Sequence, residues 1–322
     1  MQRLIRAATA GAALLLAATA CAQTWPTKTV RIIVPFAPGG TSDTLGRIVA
    51  IKLSESLGQS FVIENRGGAG GVIGSELVAK SAPDGYTLVV SGIASHVIAP
   101  ALASKFPFDP IRDFAHIALF GGPPSVLAVH PSVPTKNVRE FVALAKSAPG
   151  AMSYGTPGNG TLGHLIAEMF KQMAGISIAH VPYKGASGAV TDLVAGHIEA
   201  VSTTLATAGA QIRAGRVRAL AVSSAERIPD YAEVPTFREA GYRDLVAVIW
   251  FSLSGPAGLP RDVVEKLNAE VRRILQLPEV RERLRREGVA PGTLDAPAFT
   301  AFVAAEIARW TPVVRASGAR VD

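Results

Sequence analysis

This chain predicts an α/β fold built from two like lobes, and three observations carry that expectation. A buried-strand pattern, a glycine turn and an amphipathic helix follow one another over residues 30–57 and again over 151–173. Short apolar runs alternate with helical stripes and glycine or proline breaks along most of the rest. The 322 residues, 48% hydrophobic and 18% charged, have a globular composition with room for two domains of ordinary size.

The first 22 residues stand apart. Arg3 and Arg6 precede an apolar run over 12–18, and Ala20 and Ala22 follow with the small-x-small spacing of a cleavage site. Export is expected, with a mature start at Gln23. Lipidation at Cys21 is the weaker alternative, because Ala18 opens the box where a larger aliphatic residue belongs. Cys21 is the only cysteine, which removes disulfide and thiol chemistry from the chain after cleavage. The longest later apolar stretch, 245–259, is broken by Ser252, Ser254, Gly255, Pro256 and Gly258, so no membrane span is expected. The formal charge of +7 stays positive without Arg3 and Arg6. In an exported protein this sets nucleic acid aside and leaves anionic lipid or an acidic small ligand. The basic run 272–286 alternates with Glu279 and Glu282 around Val280 and Leu284, as a solvated helix face does.

In chain order, Val30, Ile32, Ile33 and Val34 read as a buried strand. Residues 35–42 form a glycine turn without Lys or Arg, and Leu45, Ile48, Val49, Leu53 and Leu57 recur at helical spacing, with Thr41, Ser42 or Asp43 as the N-cap. Glycines let a ligand approach the backbone, and the first helical amides lack partners and carry partial positive charge. Such a turn suits an anion. A strand over 61–63 leads to Asn65-Arg66-Gly67-Gly68 and a helix ending at Lys80. Glycines 68, 70 and 74 do not have the dinucleotide spacing, so they read as close helix–strand packing and no cofactor is expected.

Residues 86–91 predict a strand and 92–96 a polar turn at the same sheet edge, which makes Ser95 and His96 site candidates. For His96 a structural hydrogen-bonding role is the plainer alternative. After a loop over 106–113, extended segments 115–120 and 125–130 flank Gly121-Gly122-Pro123-Pro124, where the chain first crosses between lobes. A helix over 137–148 follows, and then the opening pattern returns. It comprises a strand at 151–154, an uncharged turn at 155–161 and a stripe of Leu162, Leu165, Ile166, Met169, Phe170 and Met173. Two such turns place two like lobes face to face across an anion. Strands at 178–181, 198–203 and 217–222 alternate with helices at 189–194 and 206–213, which predicts a mostly parallel sheet. Residues 234–241 predict a short helix, and 246–253 a strand crossing back to the first lobe. Helices close the chain at 260–275, 278–287 and 297–314, the first and last starting at prolines.

Five stretches taken together resemble one family, the Bug-type periplasmic receptors of tripartite tricarboxylate transporters. They are VRIIVPFAPGGTSDTLGR, VIENRGGAGGVIGSELVAKSAPDGYTL, SYGTPGNGTLGHLIAEMF, HVPYKGASGAVTDLVAGHIEA and RALAVSSAERIPDYAEVPTFREAG, in order over most of the chain. The resemblance implies a two-lobed periplasmic binding protein, a "Venus flytrap" with two Rossmann-like lobes and a cleft between them. It implies a periplasmic monomer that performs no chemistry, holds a small mono- or dicarboxylate through backbone amides and water, and hands it to membrane transporter subunits. Ligand contacts carry over to Phe36, Ala37, Gly39, Gly40, Thr41, Ser42 and Asp43 in the first turn. In the second they carry over to Gly155, Thr156, Gly158, Asn159, Gly160, Thr161 and His164, with Thr203 and Thr204 nearby.

Thr156, Pro157, Thr161, Leu162 and Gly163 depart from the family's serine-rich second turn, and Ser202-Thr203-Thr204 stands where relatives often carry an aspartate or a glycine, so ligand identity does not transfer. Tyr183 and Lys184 match its V-P-Y-K-G segment, either as structural residues or at the cleft mouth. The expected division is a signal segment 1–22, one lobe from 23–122 with 247–322, and the other from 123–246. A competing class, an exported hydrolase, has Ser42, His96, His164 and Asp192 as residue types but no G-x-S-x-G elbow. A third reading keeps the receptor and makes its partner a sensor kinase.

Overall fold

The computed structural model describes residues 25–103 and 105–317. The expected signal segment, its cleavage before Gln23 and the lipidation alternative at Cys21 lie outside them.

The chain opens with β1 (Val30–Val34), in which Ile32 and Ile33 are both fully buried although they point to opposite faces, the mark of a strand covered on both sides. Helix α1 (Thr41–Leu57) follows, then β2 (Phe61–Asn65), α2 (Val72–Ala79) and β3 (Thr87–Gly92). The N-cap of α1 is Gly40, in extended conformation and without a side-chain cap, rather than one of the three hydroxyl or acidic residues after it. The expected polar turn at 92–96 is instead a π-helical turn (Ala94–Ile98) continued by α3 (Ala99–Leu102). Its residues are buried, so the chain satisfies its amides by winding where no water is available.

Then come β4 (Phe114–Gly122), β5 (Ser125–Val129), α4 (Val138–Ser147), β6 (Ser153–Thr156), α5 (Leu162–Ala174), β7 (Ala179–Pro182), α6 (Ala186–Ala195), β8 (Ala200–Thr204), α7 (Leu205–Arg213) and β9 (Arg218–Val222). Asn137 caps α4 by accepting from Glu140 N at 2.9 Å, and Thr161 caps α5 by accepting from His164 N at 3.4 Å. The short helix expected at 234–241 is a turn, which Thr236 and Glu239 close by exchanging hydrogen bonds of 2.7 and 3.1 Å. The chain ends with β10 (Phe251–Pro256), α8 (Arg261–Leu275), α9 (Pro278–Arg286), β11 (Ala290–Pro291) and α10 (Ala296–Ala316). Val263, Leu267, Val271 and Ile274 of α8 are buried, while Arg273, Arg285 and Arg286 pair with Glu270 and Glu282 on the solvent side.

The strands form two sheets, in the orders β11-β4-β10-β3-β1-β2 and β7-β6-β8-β5-β9. Both are mixed, yet the expected parallel set is present: β6, β7, β8 and β9 share one direction, and β1, β2, β3 and β4 share one in the other sheet. In the first, β1 runs parallel to β2 and β3, while β10 lies antiparallel between β3 and β4. In the second, β6 runs parallel to β7 and β8, while β5 lies antiparallel between β8 and β9. The reason is directional. The first residue of β10, Phe251, faces Gly92 at the end of β3, and the first residue of β5, Ser125, faces Thr204 at the end of β8. A strand that arrives from the other sheet enters at the strand ends nearest the junction, and so must run back against its neighbours.

The two connecting segments touch. Ile249 N donates to Pro123 O at 3.0 Å, and a Cβ on Gly122 would lie 1.5 Å from Ile249 O. Only glycine fits there.

Candidate functional site

A cavity lies where the carboxyl ends of β1 and β3 face those of β6 and β8. Open α/β sheets bind ligands at such edges. From the first sheet's side come Phe36, Gly40, Thr41 and Ser42 after β1, and Ser91, Gly92, Ile93, Ala94 and Ser95 at the end of β3. The other side supplies Pro157, Thr161, Leu162 and Gly163 around the start of α5, Ala186 opening α6 and Thr204 before α7. Ile249, Trp250 and Phe251 of the returning segment complete the wall. Trp250 is held by its indole N–H, which donates to Glu306 Oε2 at 3.1 Å, an oxygen that Trp310 Nε1 also reaches at 3.1 Å.

No lining residue is charged or a histidine. The positive potential comes instead from the N-terminal ends of α1, α5, α6 and α7, each equivalent to about half a charge. The amides of Ser42, Leu162, Gly163 and Ala186 have no acceptor among the described residues, as the first turn of a helix dictates.

Most hydroxyls in the wall are already engaged. Thr41 Oγ1 lies 2.7 Å from Thr204 Oγ1 and 2.9 Å from Thr207 Oγ1. Ser91 Oγ contacts Ser252 and Ser254 at 2.7 and 2.6 Å, Ser95 Oγ contacts His96 Nδ1 at 2.9 Å, and Thr161 donates to Gly158 O at 2.7 Å. Ser42 is the exception, with no side-chain partner among the described residues. The two sides are latched together by Ala37 N to Lys184 O at 3.0 Å, Ser187 Oγ to Pro38 O at 2.8 Å and Thr41 N to Thr207 Oγ1 at 3.1 Å. The cleft is bridged at three points.

Of the residues singled out from sequence, Phe36, Gly40, Thr41, Ser42, Ser95, Thr161 and Thr204 meet at the cavity, and the others are placed elsewhere. Ala37 spends its amide on the latch. Gly39 N donates to Asp43 Oδ2 at 3.0 Å, and Asp43 also binds Arg47 Nε at 3.0 Å and Asn65 Nδ2 at 2.9 Å. Burial pushes the Asp43 pKa up, but these donors outweigh it and hold the carboxyl below its usual range. Thr41 and Asp43 are two residues apart, about 200° around the helix, so the acid points away from the ligand side.

His96 is fully buried behind Ser95, its ring 4.5 Å from Phe114 and 5.8 Å from Phe108, and burial drives its pKa well below the usual value. His164 accepts from Gly160 N at 3.3 Å and stacks on His180 with centroids 4.3 Å apart. Thr156 is buried with its hydroxyl 2.7 Å from His180 Nε2, and Thr203 is buried within β8. Gly155 serves packing, since a Cβ would sit 2.6 Å from Ile198 Cδ1. Gly158 and Asn159 line an outer groove instead.

The hydrolase residue types are not assembled. Ser42 has no histidine partner, His164 serves Gly160, and Asp192 accepts from the Tyr183 hydroxyl at 2.6 Å. No cluster of metal-ligating side chains occurs among the described residues. Sequence reasoning did not single out Ser91, Gly92, Ile93, Ala94, Pro157, Leu162, Gly163, Ala186, Ile249, Trp250 or Phe251 as ligand contacts. Ala186 carried a readable signal, because Gly185 before a helix is a third strand–glycine–helix turn, although one that carries a lysine.

The Tripartite tricarboxylate transporter family receptor (TctC) model matches residues 45–319. Protein BugT of Bordetella pertussis is 36% identical over 315 residues, which is 98% of this chain and 95% of that protein. Among solved structures, Rpa4515 of R. palustris with adipate superimposes with a TM-score of 0.89 at 36% identity, covering 92% of this chain and 99% of that one. MatC of Rhodopseudomonas palustris with bound malate gives 0.86 at 33% identity, covering 90% and 100%.

Proposed function

We propose, for a chain that belongs to the tripartite tricarboxylate transporter receptor family, that it captures a small carboxylate between its lobes and delivers it to membrane transport subunits. Its relatives are substrate-binding receptors, not enzymes, with the two-lobed periplasmic binding protein fold. The observation that carries the proposal is the uncharged cavity on which four helix N-termini converge. Such a wall favours an anion without offering it a counter-ion. That structures similar to this one hold adipate and malate agrees with the reading.

The working division takes 23–122 with 247–322 as one lobe and 123–246 as the other, the cleft lying between them. We place the mature receptor in the periplasm. No helix among the described residues is long and apolar enough to cross a membrane.

A thermal-shift panel of mono- and dicarboxylates, adipate and malate included, tests the function. Ser42→Ala is expected to weaken the best binder about 10- to 100-fold by calorimetry, since a hydrogen bond to a charged group contributes roughly 1.5 to 3 kcal/mol. Ser91→Ala, whose hydroxyl is already engaged by Ser252 and Ser254, should change affinity far less. Equal losses, or binding of the matching amides instead of the acids, would count against recognition by this wall.

A further inference from the structure

Outside the cavity lies a second, wider groove that the proposed function leaves unused. It shares Phe36 and Pro157 with the cavity, so the two are separated by the thickness of those side chains. Its remaining lining comes from residues 68–72, from Ala99 and Ala103 with Lys105, Phe106 and Pro107, and across the cleft from Gly158, Asn159 and residues 182–184. Two charged residues line it, both cations. They are Lys105 and Lys184, from opposite sides of the cleft, and both are exposed. Neither has a carboxylate within 4.0 Å among the described residues, although most basic side chains of α8 and α9 are paired. The Tyr183 hydroxyl beside Lys184 is turned to Asp192, which is not part of the groove.

The cavity cannot attract an anion from a distance by itself. Helix-end potentials fall off within about a turn, whereas a full charge is felt over a Debye length of roughly 8 to 10 Å at physiological salt. We propose that the groove is an anion vestibule, in which Lys105 and Lys184 gather a carboxylate before it passes Phe36 and Pro157 into the cavity. This rests on the carboxylate-receptor reading above and adds to it a site that acts on the rate of capture. In the closed state the ligand lies beyond the wall, away from both ammonium groups. The lysines therefore stabilise the encounter and the passage more than the final complex. Removing them should slow binding and release by the same factor and leave the dissociation constant unchanged.

The experiment is stopped-flow intrinsic tryptophan fluorescence, with Trp250 in the cavity wall, using the panel carboxylate with the largest thermal shift, for the wild type, Lys105→Gln, Lys184→Gln and the double variant. Glutamine keeps the Lys184 backbone that holds the Ala37 latch. Association and dissociation rates of the double variant are each expected to fall several-fold at low ionic strength, with an unchanged dissociation constant. The difference from wild type should vanish near 0.5 M salt, where charges are screened within about 4 Å. Unchanged rates overturn the vestibule. A weakened dissociation constant with an unchanged association rate overturns it too, because the lysines would then hold the bound ligand. Either result leaves the receptor reading intact, whereas a panel that gives no shift in the wild type removes both.

Discussion

Gly70→Ala is expected to abolish ligand-induced stabilisation while leaving the unliganded fold standing. Gly70 sits at φ +63°, and a Cβ there would lie 2.3 Å from Asn159 O, a backbone atom of the opposite glycine turn. No side chain can swing aside to relieve that overlap, so the cleft must stop short of the closed geometry. Ligand at a hundred times its dissociation constant stabilises a closing receptor by about 2.7 kcal/mol, a melting shift of roughly 5 °C for a chain of this size. The variant should lose nearly all of it. Gly58→Ala is the control, because Gly58 has φ +70° but nothing within 4 Å of its Cβ position. Both variants carry the left-handed strain of about 1 kcal/mol in the free protein, and Gly58→Ala keeps the full ligand shift. A full shift in Gly70→Ala would mean that the 68–71 turn does not gate closure.

A large acid destabilisation is expected between pH 6.5 and about 4. Burial lowers His116 to about 4, against weaker support from the Pro110 carbonyl, and drives neighbouring His96 well below the normal imidazole value. Both are neutral in the folded chain, their rings 5.8 Å apart among Phe108, Phe114 and Phe299. The folded pKa is depressed below the unfolded one near 6.5, so the unfolded state binds more protons once the pH drops under that value. The stabilisation is whole above pH 6.5 and is lost as pH falls towards the folded pKa. Each histidine contributes up to about 1.4 kcal/mol per pH unit, and His116 about 3 kcal/mol in all. Urea unfolding at pH 7, 6, 5 and 4.5 should show this slope, and His116→Gln should remove about one proton from it. A flat profile from pH 7 to 5 would contradict the buried neutral pair.

The part of the site legible in the sequence was the part written locally. An apolar run, glycines and a helical stripe at Val30 to Leu57 already specify a turn whose amides face outward, and the same holds at Thr161 and Leu162. Which side chains of those turns face the cavity is a matter of helix rotation, and so Asp43 and Ser42 were not separable by residue type. Trp250 and Phe251 could not be read at all. They reach the cavity because β10 inserts between β3 and β4, pairings that span more than a hundred positions of sequence and that no local pattern encodes. That insertion makes the first sheet mixed, and the insertion of β5 between β8 and β9 does the same to the second. His96 looked like a cleft residue because it follows Ser95. The π-helical turn that buries it depends on the aromatic cluster of Phe108 and Phe114, which arrives later in the chain.

A crystal structure of the protein grown with its best-binding carboxylate tests the central claim most directly. The account predicts carboxylate oxygens within hydrogen-bond reach of the Ser42 hydroxyl and of the amides of Ser42, Leu162, Gly163 or Ala186, directly or through water, with no Lys, Arg or His nitrogen beside them. A carboxylate paired with a cationic side chain in its final position, in the cavity or in the outer groove, would contradict it.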